Sequence, residues 1–234
     1  MSKSDVLGTL LALEARGELH GMFSDIPSDV YNHPNCPGVR SGQIKAIVER
    51  SYSHAKEAKP KESDDLAFGT HAHTYVLEQE KFVSSAVTPK QLLDLMGMKR
   101  KLLSHPDVKE RMEGAQFEVT CFSKCSITGL TKRCRIDIYK KLERMSDLKT
   151  CRNAAQDAFA RDARKFLYRI AAAHYVGIVY DITGVYLPFD FIATEKESPY
   201  EAAVYSIDAK SMARGEQECN YALRVLKDVK ENPT

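Results

Sequence analysis

Residues 135–150 read RIDIYKKLERMSDLKT, and this stretch decides the fold. The runs from Lys132 to Tyr139 and from Met145 to Thr150 are short and carry β-branched and aromatic residues, a composition typical of strands. If the residues between them form a hairpin, the two strands lie side by side. Asp137 and Asp147 would then come within a few ångströms of each other.

Two carboxylates that lie so close repel each other unless a cation sits between them. Side chains two positions apart in a strand share a face, so Asp147 and Lys149 point the same way while Leu148 turns into the core. Magnesium bound by the two aspartates would suit phosphodiester hydrolysis, with Lys149 orienting or deprotonating the water. The alternative remains open here, because an Asp-X-Lys triplet can also be part of a solvated strand face.

Outward from this hairpin, hydrophobic periodicity predicts a helical first half and a mixed second half, and thus an α/β domain. Helices are predicted over residues 1–20, 66–82, 89–103, 154–179 and 209–229, and from Ser41 through Val48. Further strands are predicted over residues 117–125, 185–194 and 202–207, with a hairpin turn at Thr128-Gly129. The segments 21–42 and 57–65 are predicted to be turns and loops.

The overall composition favours one globular domain without a general affinity for polyanions. In 234 residues, 34 basic and 32 acidic side chains leave a formal charge of +2, so any DNA-binding charge must be local. No stretch reaches the ~20 apolar residues that span a bilayer, and the first residues lack a signal-peptide pattern. We therefore expect a cytoplasmic protein with no membrane partner.

Six cysteines are expected to be free thiols in a reducing compartment. Cys121, Cys125 and Cys134 match no standard zinc spacing. An iron–sulfur cluster is also disfavoured, because only Cys219 follows the region of the motifs.

Several groups of residues resemble the exonuclease VIII (RecE-type) branch of the PD-(D/E)XK nucleases. They are Asp147-Leu148-Lys149-Thr150, Phe159-Ala160-Arg161, Tyr168 and Ala172-Ala173-His174-Tyr175, then Gly21 to Pro27 with Val30-Tyr31, Ser41-Gly42 with Ile44-Lys45, and Ala193 to Lys196 with Pro199-Tyr200 and Val204-Tyr205. The resemblance runs from Gly21 to Val229. It implies a restriction-endonuclease-like core, a central mixed β-sheet flanked by helices, in one nuclease domain over residues 21–234, preceded by the helical arm 1–20.

The resemblance also implies the roles of individual residues. Catalysis would rest on Lys149, Asp147, Asp137 and Tyr175; the metal set would be His73, Asp137, Asp147 and Leu148; DNA contacts would come from Ser41, Arg161, Tyr168 and Ala171. The family places its metal-binding histidine three residues after a Gly-Thr pair, which indicates His73, with His71 as the competitor. Imidazole serves manganese better than magnesium, so activity with both ions would fit.

Position 171 departs from the family pattern. The helix after the lysine strand usually carries Gln-X-X-X-Tyr, and here Tyr175 is present but the glutamine is replaced by Ala171. Either Tyr168, Arg169 or His174 supplies the missing polar contact, or the chain is a natural or engineered variant with reduced activity.

The activity implied is digestion of linear double-stranded DNA from its ends, 5′ to 3′, leaving 3′ overhangs for a single-strand annealing recombinase. The implied assembly is a ring-shaped homo-oligomer, a tetramer or trimer, threaded by DNA. Candidates for a basic channel are Lys45, Arg50, Lys56, Lys59, Arg161 and Arg164. Two alternatives stay open: a DNA-binding variant without activity, and a restriction-type endonuclease.

Overall fold

The computed structural model of the protein describes residues 2–57 and 63–232. The helices are α1 (Lys3–Ala15), α2 (Ser28–Asn32), α3 (Ser41–Glu49), α4 (Tyr52–Glu57), α5 (Asp64–Leu77), α6 (Pro89–Ser104), α7 (Pro106–Met112), α8 (Gln156–Lys165), α9 (Tyr168–Thr183) and α10 (Ala209–Glu231). The strands are β1 (Gly21–Phe23), β2 (Gln116–Lys124), β3 (Thr131–Lys140), β4 (Arg144–Cys151), β5 (Phe189–Glu195) and β6 (Ala202–Ser206). Short 3₁₀ turns cover Gln79–Lys81 and Ser84–Ala86.

The six strands form one mixed sheet in the order β1-β2-β3-β4-β5-β6. Neighbours are antiparallel except β4 and β5, which run parallel because α8 and α9 connect them. Apolar residues fill both faces of the sheet: one core lies beneath α9, and the other beneath α5 and α6. The prediction of an α/β fold with a central mixed sheet flanked by helices is confirmed.

A kink in β2 and β3 interrupts the regular alternation of side chains. Glu118 has φ +52°, a left-handed conformation that is uncommon for a residue with a side chain. Phe117 and Val119, which a regular strand would place on one face, belong to opposite cores. Asp137 stands opposite Glu118 in the register set by Phe117↔Ile138 and Val119↔Ile136. The kink therefore brings two carboxylates to one point.

The pairing between β3 and β4 stops directly before Ile138, at Asp137, and the gap between the two strands from there on is called the seam. β3 pairs with β4 only at the hairpin end, through Ile138↔Ser146 and its two neighbours, after which β4 pairs with β5 alone. The Asp137 side chain bridges the start of the gap, because its Oδ2 accepts a hydrogen bond from the Leu148 amide at 2.7 Å.

Nearer the start of β3, Val39 lies beside this strand on the edge where β4 is no longer paired. It forms a parallel bridge with Lys132, and the Arg133 amide donates to its carbonyl at 2.9 Å. Gly38 allows this approach, since it has φ +93° and an added Cβ would lie 3.1 Å from that of Arg133. Helix α3 begins two residues after Val39, so its first turn is anchored beside the seam.

Most predicted elements are found, with several differences. Helix α4 was not predicted, and the strand predicted from residue 185 begins at Phe189. The helix predicted over 154–179 is two helices, because Leu167 adopts φ +52° between them. The segment 21–42, predicted as turns, contains β1 and α2, and α7 was not predicted. The loop predicted at 57–65 lies mainly outside the described residues, as does Lys59, and α5 already begins at Asp64.

All six cysteines are free and buried, as predicted. Leu10 of α1 is buried with Leu19, Ile26 and Phe122, so this helix packs on the edge of the sheet. Within residues 2–57 and 63–232, every helix is too short or too polar to cross a bilayer.

Candidate active site

A cavity of about 1390 Å³ opens along the seam between β3 and β4. Its walls come from α2, α3 and α5, from the strands β2 to β4, and from the α8–α9 corner. Of the residues predicted from sequence, the cavity is lined by His73, Asp137, Leu148, Lys149, Tyr168 and Tyr175.

An imidazole and two carboxylates meet at one side of this cavity. His73 Nε2 lies 2.8 Å from the Leu148 carbonyl, and the N–H on that nitrogen donates to it. Nδ1 then faces the acids, 3.5 Å from Asp137 Oδ2 and 3.8 Å from Glu118 Oε1. One ligand atom from each of His73, Glu118 and Asp137 lies within 4.8 Å of the others. His71, the competing histidine, is outside this group.

The acids and the histidine perturb one another strongly. Burial, together with the nearby Asp147 and Glu118 carboxylates, raises the pKa of Asp137 above its ordinary value, although His73 opposes the shift. Burial opposes the charged imidazole, but Asp137 and Glu118 outweigh it and raise the pKa of His73 to about 9. The cluster thus carries more negative charge than its surroundings can stabilise, and a proton or a cation must balance it.

These residues fit a divalent cation. Two partly or fully buried carboxylates and an imidazole nitrogen converge, and a hard or borderline ion accepts that donor set. The set differs from the prediction at two positions. Glu118 stands beside Asp137, whereas the Asp147 carboxylate pairs with Lys149. The Leu148 carbonyl accepts a hydrogen bond from His73, so it orients the imidazole, and the Leu148 side chain is buried in the core.

Two lysines also line the cavity. Lys149 forms an ion pair with Asp147, and its ammonium lies 5.5 Å from the centre of the Tyr168 ring. Lys45, from α3, lies 5.5 Å from the centre of the same ring. Burial and the neighbouring Lys149 lower the pKa of Lys45 to about 8. Burial alone would lower the pKa of Lys149, but Asp147 and Asp137 raise it instead.

Tyr168, Arg169 and His174 were predicted as substitutes for the absent family glutamine. Ala171 is buried on α9. Arg169 forms a two-pronged ion pair with Glu218, and its guanidinium is engaged there. His174 Nε2 lies 3.1 Å from the carbonyls of both Val39 and Arg133, to which its N–H donates. Of the three candidates for the missing contact, Tyr168 alone lies against Lys149.

Other predicted DNA-contacting residues lie outside the cavity wall. Ser41 starts α3 next to Gly42, which does line the cavity. Arg161 is exposed on α8, and Asp162 and Lys165 of the same helix reach the cavity instead. Tyr175 lies within the cavity, where burial and the neighbouring Tyr31 raise its pKa well above the ordinary value and keep its hydroxyl neutral.

Glu118 was given no role from the sequence, and Lys45 was predicted only as a candidate for a basic channel. A signal for Glu118 exists, because it is the one charged residue in the run Phe117 to Phe122 of a predicted strand.

Metal binding at this cluster is expected to strengthen as the pH rises. At neutral pH His73 is protonated, because its pKa is raised to about 9, so a cation must displace a proton from Nδ1. For one displaced proton, the affinity for Mn²⁺ should rise about tenfold per pH unit below that pKa. Calorimetric titration in two buffers of different ionisation enthalpy counts the protons released. The His73→Gln variant is the control: it should bind Mn²⁺ more weakly, and the pH dependence that remains should come from Asp137, whose pKa is also raised. A wild-type affinity independent of pH would contradict the assignment of His73.

Comparisons with known proteins agree with this fold. The family described as "PDDEXK-like domain of unknown function (DUF3799)" matches residues 48–234. The crystal structure of a protein named "Putative exonuclease", from Eubacterium rectale, superposes with a TM-score of 0.65 at 18% identity, covering 86% of each chain. The structure of SSO0001 covers 76% of this chain and 83% of its own at 13% identity, with a TM-score of 0.34.

No curated protein matches the sequence. The likeness to the Eubacterium rectale protein is one of fold, since the identity is low. The family match, in contrast, spans most of the chain and includes β4 with its Asp147-Leu148-Lys149 triplet. The chain therefore belongs to the PDDEXK-like DUF3799 family.

Proposed function

We propose that this protein is a metal-dependent exodeoxyribonuclease that digests linear double-stranded DNA from its ends. The observation that carries the proposal is the meeting of two unlike groups in one cavity. His73, Glu118 and Asp137 form an acidic cluster, Lys149 and Lys45 supply two ammonium groups, and all five residues line a cavity large enough for a phosphodiester.

Magnesium, or manganese, bound to the acidic cluster would polarise a phosphate and lower the pKa of a bound water. Asp137 and Glu118 would hold the ion, His73 would complete the set through Nδ1, and the Leu148 carbonyl fixes the orientation of the imidazole.

Lys149 acts as a hydrogen-bond donor in this proposal. Its raised pKa keeps it an ammonium at neutral pH, so it orients the water or the phosphate and does not take up a proton. Asp147 anchors it through their ion pair, and the Tyr168 ring covers it on another side. Lys45 and the neutral Tyr175 hydroxyl would add donors to the phosphate oxygens.

The finer features rest on the resemblance to exonuclease VIII-type enzymes. We infer digestion in the 5′ to 3′ direction that leaves 3′ overhangs, a single-strand annealing recombinase as partner, and a ring-shaped homo-oligomer, a tetramer or trimer. The basic residues Lys45 and Lys165 in the cavity wall support contact with a DNA backbone.

Circular and linear duplexes separate this proposal from its two rivals. In Mg²⁺ the protein should degrade a linear duplex completely and leave a covalently closed circle intact. Nicking of the circle would instead show an endonuclease, and binding without loss of either substrate would show an inactive DNA-binding protein. Linear duplexes with the 5′ or the 3′ ends blocked then give the direction, and protection by 5′ blocks is the expected result.

A further inference from the structure

An exposed phenyl ring stands at the mouth of the cavity, at the corner between α8 and α9. The side chain of Phe166 lines the cavity, and 48% of the residue is exposed. A single exposed apolar residue on a surface needs no explanation. The Phe166 ring, however, continues a series of aromatic rings through Tyr168, and both Lys149 and Lys45 lie near the Tyr168 ring.

The corner holds this ring outward. The Phe166 amide donates to the Asp162 carbonyl at 2.8 Å, which closes α8, and Leu167 then takes φ +52° and ψ +45°. That conformation is unfavourable for a residue with a side chain. Leu167 is nevertheless fixed there, because its side chain packs against the buried cluster that contains Ile44 and Ile170. With Leu167 turned into the protein, the preceding side chain remains at the cavity.

The ring of Phe166 is the outermost of a stack. It lies 6.0 Å from the Tyr168 ring at an interplanar angle of 26°, and Tyr168 lies 5.3 Å from Phe191 at 28°. The inner rings are embedded in the core around Phe159, so the stack has a rigid base. The Lys165 ammonium lies over the Phe166 ring, 5.1 Å from its centre, and this exposed side chain would move aside for a stacked base.

The stack limits the distance between the Phe166 ring and Lys149, where the phosphate is proposed to bind. Phe166 is 6.0 Å from the ring of Tyr168, and the Lys149 ammonium is 5.5 Å from that same ring. The sum of these two separations is the upper limit for the distance between the Phe166 ring and the Lys149 ammonium, and it corresponds to about three base steps at ~3.4 Å each. One strand can therefore place a phosphate at Lys149 and a base at Phe166, one to three nucleotides away.

We propose that Phe166 is a stacking platform for a nucleobase of the strand whose backbone lies in the cavity. This inference rests on the proposed nuclease function and adds a base subsite to it. An aromatic platform accepts every base, because each has a π-face, so the subsite holds the strand without selecting its sequence. The adjacent Lys165 balances the charge of the flanking phosphate.

The test combines two changes, singly and together: removal of the Phe166 ring from the protein and removal of one base from the DNA. Initial rates on a short linear duplex give kcat/KM for the wild type, for Phe166→Ala and for Phe166→Tyr. The same measurements are made on duplexes with one abasic analogue at each of the three terminal nucleotides of either strand. Tyr186→Ala is the matched control, because that aromatic residue is 63% exposed but lies outside this cavity.

Phe166→Ala should lower kcat/KM about 5- to 150-fold on the intact duplex, mainly through KM, while Phe166→Tyr and Tyr186→Ala retain nearly wild-type values. At one abasic position, the wild type should fall to the level of Phe166→Ala, and that variant should lose nothing further. Two results would overturn the base subsite while leaving the nuclease function standing. One is that the losses in kcat/KM from Phe166→Ala and from the abasic analogue multiply at every position; the other is that Phe166→Ala causes no loss. A wild type without activity on linear DNA would refute the nuclease function itself.

Discussion

The Asp137→Asn variant should lose divalent-metal binding and hydrolysis together. Asp137 lies at the kink opposite Glu118, receives the Leu148 amide at 2.7 Å and faces His73 Nδ1 at 3.5 Å. Asparagine keeps an oxygen for the amide but removes the charge that a cation needs. Replacing even an outer partner of a metal ligand weakens metal binding about 10–100-fold, so the loss here should be at least that large. Activity should fall about 1000-fold or more.

Calorimetric titration with Mn²⁺ and single-turnover digestion of a linear duplex measure the two effects. The fold should survive, because in the metal-free protein Asp137 is buried beside other carboxylates and its raised pKa shows that its charge is unfavourable. Asp190→Asn is the matched control, since it removes a buried carboxylate that lies on β5 and does not line the cavity. Asp190 receives hydrogen bonds from Arg111 and Arg144, and losing it should destabilise the fold by about 3–5 kcal/mol without touching the metal cluster. Metal binding of wild-type strength in Asp137→Asn would refute the proposed site.

The Lys149→Gln variant should separate turnover from metal binding. The ammonium acts on the water or the phosphate and is not a ligand, so the Mn²⁺ affinity should change by no more than a few fold. The rate of single-turnover digestion should fall about 10²- to 10³-fold, the range lost with one preorganised hydrogen-bond donor. Lys196→Gln provides the comparison, because Lys196 also lines the cavity but is paired with Asp65 at its rim.

Stability must be measured alongside this second variant. Lys149 is the ion-pair partner of the buried Asp147, and loss of one partner of a buried pair destabilises by about 3–5 kcal/mol. Glutamine can still donate to that carboxylate and limits the loss. The assays therefore run well below the unfolding temperature of the variant. Weak metal binding with retained turnover would mean that the roles of Asp137 and Lys149 are exchanged.

The parts of the site that could be predicted from sequence lie on regular strand. β4 keeps its alternation, so Asp147 and Lys149 share a face and Leu148 faces the opposite core, as the spacing indicates. Asp137 was placed near Asp147 by assuming a hairpin, and the hairpin is present.

The parts that could not be predicted depend on departures from regular geometry. The positive φ of Glu118 breaks the period of two on which any strand argument rests, so Glu118 received no role. Similarly, residues 154–179 have a continuous helical pattern without Gly or Pro at the break, and the turn at Leu167 is specified by tertiary packing. Lys45 was predicted as a channel candidate, but its position beside Tyr168 depends on the irregular segment around Val39, whose path no local pattern specifies.

The seam between β3 and β4 divides the six-stranded sheet into two three-stranded halves that share only three residue pairs, at the hairpin. Asp137 lies on the first half and Lys149 on the second, and the hydrogen bond from the Leu148 amide to Asp137 joins the halves beyond the hairpin. In a continuous sheet, backbone pairing sets the distance between neighbouring strands at ~4.8 Å. At the seam a side chain takes over that task, so replacing Asp137 by a residue without a hydrogen-bond acceptor would change the spacing of the site as well as its charge.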